Sequence, residues 1–125
     1  MLDLQLFTAC YKNFQPHYGV PVQISNGRPK FPLAYHLGYK APLLYPEWSM
    51  VKADVPMSEF NARYHQVLDQ RGIDDVRGLL TDIAEHAGDS RLVLMCFEWN
   101  PENCHRRGFA DWWQKNTGEM VPEVP

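Results

Sequence analysis

The sequence is short of several things, and each shortage excludes a class of protein. It has three cysteines, Cys10, Cys96 and Cys104, an odd number without a dense framework. That excludes a disulfide-stapled secreted scaffold and fits reduced thiols in a cytoplasmic protein. No apolar run approaches the roughly 20 residues that cross a bilayer. The N-terminus MLDLQLFTACYK has neither a basic leader nor a long apolar stretch, so no signal peptide and no membrane partner are expected. Positive charge is not in surplus: the formal net charge is -3. That argues against nucleic-acid binding by bulk electrostatics and leaves only a local basic patch for it. Neither GxGxxG nor GxxxxGKS occurs, so no dinucleotide fingerprint, and no cofactor, is indicated.

What is present is the composition of a folded domain. Hydrophobic residues make up 45%, aromatics 13% and charged residues 22%, whereas disorder would need fewer aromatics and more net charge. A chain of 125 residues is expected to form one domain over 1–125. Leu2, Leu4 and Leu6 alternate with Asp3 and Gln5 and lead through Phe7 to Tyr11, which predicts a first strand. VPVQIS (Val20–Ser25) reads as a second, closed by the turn dipeptide Asn26-Gly27. From Arg28 to Met50 the periodicity fails; four prolines and five aromatics are scattered there, and a loop that long is usually functional. A short helix is expected within it over Pro32–Leu37.

The second half is more regular. Met57, Phe60, Tyr64, Val67 and Leu68 fall on one helical face, with Ser58 near the start and Gly72 after the end. Asp74 or Asp75 would cap the next helix, whose apolar positions run from Val76 to Ala87 and whose left-handed terminator is Gly88. RLVLMCF (Arg91–Phe97) is a continuous apolar run, as expected of a central strand covered on both faces. Asn100-Pro101 predicts the start of a last helix reaching about Asn116, with Gly118 ending it. A short strand over Met120–Val124 would follow, limited by Pro122. This alternation predicts an α/β fold: a small three-layer open sheet, mostly parallel, Rossmann-like, with helices on both faces.

CFEWNPENCHRR, Cys96 to Arg107, concentrates the reactive side chains where that central strand ends. In open α/β sheets ligands sit at this carboxyl edge, and a helix start favours anions. At about 100° per residue, with Phe109, Trp112 and Trp113 inward, His105 and Arg106 face the interior and Arg107 faces solvent. Arg106 then either grips an anion or pairs internally with Glu98 or Glu102. His105 is an acid–base group or a structural imidazole bonded to a carbonyl. Cys104 is a nucleophile or a small helix-start residue, Glu98 a carboxylate base or a capping group, and Cys96 core. No metal is expected, because C-x7-C-H is not a standard spacing and structural zinc usually takes four ligands. Arg28, Lys30, His36 and Lys40, interleaved with Phe31, Tyr35 and Tyr39, would form an opposing wall able to stack a base and neutralise phosphate.

Across most of its length the chain resembles a family catalogued as domain of unknown function number four hundred and eighty-eight, in its short bacterial and phage branch. The matching pieces are LFTACYKNF, VPVQISNGRPKF, KAPLLYPEWSMVK, EFNARYHQVL and LVLMCFEWNPENCHRRGFADWW, with a terminal VPEV. The resemblance implies that Cys96, Glu98, Cys104, His105 and Arg106 are signature positions, and that Ser25, Pro29 and Lys30 match an earlier motif. It implies no reaction. Cys10 departs from the pattern, standing where a hydroxyl residue is more usual, and His36–Tyr39 has no counterpart.

The function expected on these grounds is recognition of a small anion, a nucleotide, nucleoside or nucleic-acid component. Glu98, His105 and Cys104 would act on it, with Arg106, Ser25, Lys30, Arg28 and Tyr35 binding. The alternative is a non-catalytic phage or bacterial accessory protein that sequesters a nucleotide signal or binds a host protein, through an exposed apolar patch at Tyr45, Trp48 and Trp99.

Overall fold

The run Arg91–Cys96, five of whose six residues are buried, organises the architecture. A computed structural model of the chain describes residues 3–98 and 104–125. In it this run is strand β4, following β1 (Gln5–Cys10), β2 (Val20–Gln23) and β3 (Tyr39–Lys40). Among the described residues the sheet has the order β1-β4-β2-β3 and every pairing is parallel. β4 pairs with β1 from Gln5↔Arg91 to Cys10↔Cys96, and on its other side with β2 from Val20↔Leu92 to Gln23↔Met95. A strand flanked on both sides and covered on both faces has no solvated position to fill, hence its unbroken apolar sequence.

The α/β class and the three-layer parallel sheet match the sequence reading, but the α-helices gather on one face instead of both. Helices α1 (Trp48–Lys52), α2 (Met57–Arg71), α3 (Ile73–Ala87) and α4 (His105–Thr117) pack on the face that carries Leu6, Val22, Leu92 and Leu94. Their contributions include Met50, Tyr64, Leu68, Leu80, Phe109 and Trp113. Burying side chains of this size stabilises by about 1.5–3 kcal/mol each. The opposite face, with Ala9, Val93 and Met95, is covered differently. Tyr11, Phe14, Leu37 and Val124 close it, aided by Tyr18, Leu33 and Tyr35, and the regular element there is a 3-10 turn, Pro16–Tyr18. The third layer is thus mostly irregular chain, held by Phe14 against Tyr35 at 4.6 Å and by the Tyr35 hydroxyl, which donates to the Tyr11 carbonyl.

Several boundaries differ from expectation. The helix expected over Pro32–Leu37 is not formed: Leu33, Tyr35 and Leu37 pack inward with Ala34 and His36 exposed between them, a period of two that suits extended chain. The aperiodic Arg28–Met50 stretch holds β3, a 3-10 turn at Pro42–Leu44 and the start of α1. No side chain caps α3; Asp74 and Asp75 lie in its first turn instead, where carboxylates complement the helix dipole. Gly88 and Gly118 take the left-handed conformation as expected, at φ 70° and 78°. α4 starts at His105 with Cys104 as its N-cap; the start expected at Asn100-Pro101 lies outside the described residues. The last strand is reduced to one parallel bridge, Thr8↔Glu123. No helix among the described residues is long and apolar enough to cross a membrane.

Gly19 sets where β2 can begin. Its φ is 140°, and a Cβ there would lie 2.6 Å from the Arg91 carbonyl oxygen, so both the conformation and the backbone of β4 oppose a side chain. Gly19→Ala is expected to destabilise by about 2 kcal/mol or more. Gly27→Ala, with nothing within 4 Å of its Cβ, should stay within about 0.5 kcal/mol. Urea midpoints of the two variants check this.

Candidate functional site

Parallel pairing sets the carboxyl ends of β2 and β4 side by side, and a cavity of about 740 Å³ opens there. Ser25, Asn26, Arg28, Lys30 and Phe31 follow β2 into its wall; Cys96, Phe97 and Glu98 follow β4; Cys104 and His105 start α4. Trp48, Met50 and Val51 of α1, with Met57 and Phe60 of α2, close the far side. The Ser25 hydroxyl donates to the Gly27 carbonyl at 2.7 Å and accepts from Tyr11 at 2.6 Å. It therefore shapes the wall rather than offering a free ligand group. The Asn26 amide donates to the Pro46 carbonyl at 3.0 Å. Arg71 donates to the Leu43 and Tyr45 carbonyls, and the Tyr64 hydroxyl to that of Leu44. Helix α2 thus pins the segment that carries α1 to the cavity.

At the inner end of the cavity the two cysteines and the histidine converge. The sequence reading takes them together only as zinc ligands, and sets that aside on their spacing. His105 Nε2 lies 2.7 Å from the Ile24 carbonyl; a carbonyl can only accept, so Nε2 carries the proton. Nδ1 is left with its lone pair, 3.4 Å from Cys96 Sγ and 3.9 Å from Cys104 Sγ. The two sulfurs are in disulfide contact with each other. Tyr64 stands edge-on to the imidazole, centroids 5.4 Å apart. Burial pushes the His105 pKa down to about 4, the bond to Ile24 opposing and nearby Arg106 assisting. At neutral pH His105 is an uncharged imidazole presenting an acceptor to two sulfurs. Cys96 is buried, as expected of core, but it also borders the cavity.

Two expected site residues, Arg106 and Tyr35, are placed elsewhere. Arg106 is inward, as the helix phase predicts, yet fully buried and outside the cavity lining. Its Nε and one terminal nitrogen grip Glu123 at 3.0 and 2.9 Å, and the other donates to the Glu98 carbonyl at 2.6 Å. An internal ion pair was one of the two expected roles, but with Glu98 or Glu102; Glu98 contributes its backbone, and Glu102 lies outside the described residues. Arg107, expected in solvent, is half-buried and donates to Thr8 Oγ1 and the Val121 carbonyl. The chain beyond Gly118 folds back along β1 and covers both arginines, bringing Glu123 to the Thr8 hydroxyl as well. Tyr35, expected to bind ligand, packs on the opposite face of the sheet. Arg28, Lys30 and Glu98 do border the cavity, all exposed.

Because Arg106 is paired with Glu123, its loss should appear as instability. Arg106→Ala strands a carboxylate on a pair whose arginine is fully buried, and is expected to cost about 3–5 kcal/mol. Arg107→Ala, which removes hydrogen bonds from a half-buried chain, should cost about 1 kcal/mol. Chemical denaturation of both variants measures the difference. His105 adds a pH dependence. Its folded pKa, about 4, lies below the ordinary value of about 6.5, so the unfolded chain binds the proton first as pH falls. Its stabilising contribution is complete above about pH 6.5 and is lost progressively towards pH 4, on the order of 3 kcal/mol in total. His105→Gln, measured beside the parent chain in chelating buffer, should flatten that part of the stability curve.

The family model described as "Domain of unknown function DUF488" matches residues 44–113, more than half of the chain. The matched span runs from the end of the second 3-10 turn into α4 and includes Cys96, Glu98, Cys104, His105 and Arg106. Ser25, Arg28 and Lys30, from the first half, fall outside it. No curated protein and no solved structure matches the chain. With its sulfur–imidazole group and the enclosing helices inside the matched span, the chain belongs to the DUF488 family.

Proposed function

We propose that the cavity binds a nucleotide, nucleoside or related nucleic-acid component, and that any reaction there acts on that ligand. The carrying observation is the pairing of aromatic walls with cations at one mouth. Phe31, Trp48 and Phe97 border the cavity and are 37, 54 and 43% exposed. Arg28 and Lys30 lie beside them; Lys12 sits over the Phe31 ring at 5.2 Å and Lys52 over Trp48 at 5.5 Å. A planar base can replace a cation on an aromatic face, and the displaced cations are then available to phosphate. The volume is in the range of small-ligand pockets, about 300–1,000 Å³. Glu98 is the carboxylate at the rim, suited to accept a proton from a bound ligand, and the neutral His105 supplies an acceptor deeper in.

A thermal-shift series of nucleotides, nucleosides and inorganic phosphate tests the reading. A ligand present at 100 times its Kd should stabilise the chain by about 2.7 kcal/mol. Arg28→Ala and Lys30→Ala should each weaken binding of a phosphorylated ligand by roughly ten- to a hundred-fold, the worth of a charge-assisted contact. Absence of any shift across the series overturns the proposal. Chromatography of the ligand after prolonged incubation separates turnover from sequestration.

A second reading, a docking surface for a host protein, is favoured by the same exposed side chains, which Val51 joins at 45% exposure. Of the patch expected earlier, Trp48 is exposed and Tyr45 half-buried, while Trp99 lies outside the described residues. This reading predicts that Trp48→Ala abolishes partner binding while the thermal-shift series stays flat for the parent chain.

A further inference from the structure

Cys96 Sγ, Cys104 Sγ and His105 Nδ1 lie within 4.8 Å of one another, all three residues buried. We propose that in the dithiol form these three atoms hold a divalent metal ion of the zinc class, with a fourth coordination position open to the cavity. The sulfur–nitrogen spacing supports it, while the two sulfurs, bonded to each other in the disulfide, must separate to about 3.8 Å to bind the ion. A tetrahedral ion with Zn–S of about 2.3 Å and Zn–N of about 2.0 Å needs its sulfur and nitrogen donors about 3.5 Å apart. The two sulfur–nitrogen distances are 3.4 and 3.9 Å.

The imidazole is also oriented for the purpose. Its Nε2–H is committed to the Ile24 carbonyl, the usual support of a metal-bound histidine, which fixes the tautomer and aims the other nitrogen at the ion. Two thiolates and an imidazole select zinc or its cobalt substitute over hard oxygen-seeking cations. Three protein donors beside a cavity match a reaction-competent zinc site rather than a closed structural one. Cys10 is paired in register with Cys96 across β1 and β4 but is not among the converging donors, and no fourth protein donor joins them among the described residues. An ion there would lower the pKa of a bound water next to whatever the cavity holds.

The disulfide and the metal are alternative states of the same two sulfurs. Two electrons from a phosphine, which leaves as its oxide, and two protons from water convert the disulfide to two thiols. Binding Zn²⁺ then releases both thiol protons and leaves two metal thiolates.

The test uses the whole chain, reduced with a phosphine in chelator, moved to metal-free buffer and titrated with Co²⁺ and then Zn²⁺. One cobalt per chain, with thiolate-to-cobalt charge-transfer absorption that zinc abolishes, is the expected result. Cys104→Ser and His105→Ala should lower the affinity by more than the roughly 10- to 100-fold typical of a lost supporting contact, while Cys10→Ser keeps the parent value. If the ligand variants fold poorly, alkylation of the parent chain decides: zinc should slow modification of Cys96 and Cys104 and leave the rate at Cys10 unchanged. No charge-transfer band in the reduced chain, equal binding by folded Cys104→Ser, or no protection of the two thiols each overturns the proposal. Nucleotide binding is read separately, so loss of the metal proposal leaves that reading standing.

Discussion

The parallel flanking of β4 is the constraint from which the site follows. Because β1 and β2 both pair with it in the same direction, their carboxyl ends and its own open at one edge. The backbone continues that alignment past the strands: Ile24 N–H bonds to the Met95 carbonyl and Tyr11 N–H to that of Cys96. Ile24 is thereby held where its carbonyl meets His105. One register therefore determines which imidazole nitrogen is protonated and which faces the sulfurs. A slip of one residue would reverse the side chains of β4 between its two faces, taking Cys96 away from α4.

Charge is partitioned around this edge. Arg106, the cation nearest His105 in the sequence, is neutralised by Glu123 and locked beneath the sheet. It depresses the histidine pKa without entering the cavity. The exposed cations at the mouth come from the segments after β1 and β2 and from α1: Lys12, Arg28, Lys30 and Lys52. A chain of net charge -3 thus keeps a locally cationic opening, and steering by such a field depends on local arrangement rather than on the total.

Much of the scaffold was legible because it obeys one period at a time. Arg91–Phe97 could be read as a central strand from its unbroken apolar run, and α2 and α3 from their helical stripes with Gly72 and Gly88 beyond them. Leu33, Tyr35 and Leu37 were misread as helical because three inward positions among prolines are too few to separate a period of two from one of 3.6. The edge of the sheet carrying the site was legible from the Cys-to-Arg block; the partners of its side chains were not. Arg106 and Arg107 occupy adjacent positions on one helix, and their phase distinguishes inward from outward only while nothing else covers the helix. The return of residues beyond Gly118 against β1 supplied that cover.

The sequence by itself determined the α/β class, the central strand, the helix terminators and the place where reactive side chains gather, since each depends on local patterning or on the next few residues. Tertiary structure alone decided that Cys96 meets Cys104, that burial keeps His105 neutral, and that its tautomer is set by Ile24, 81 positions away. It also gave Arg106 to Glu123 and brought Trp48 and Arg28 to the lining of one cavity. Those outcomes rest on contacts between segments whose separation along the chain carries no periodic signal. Their physical cause is the sheet register, which no single segment encodes.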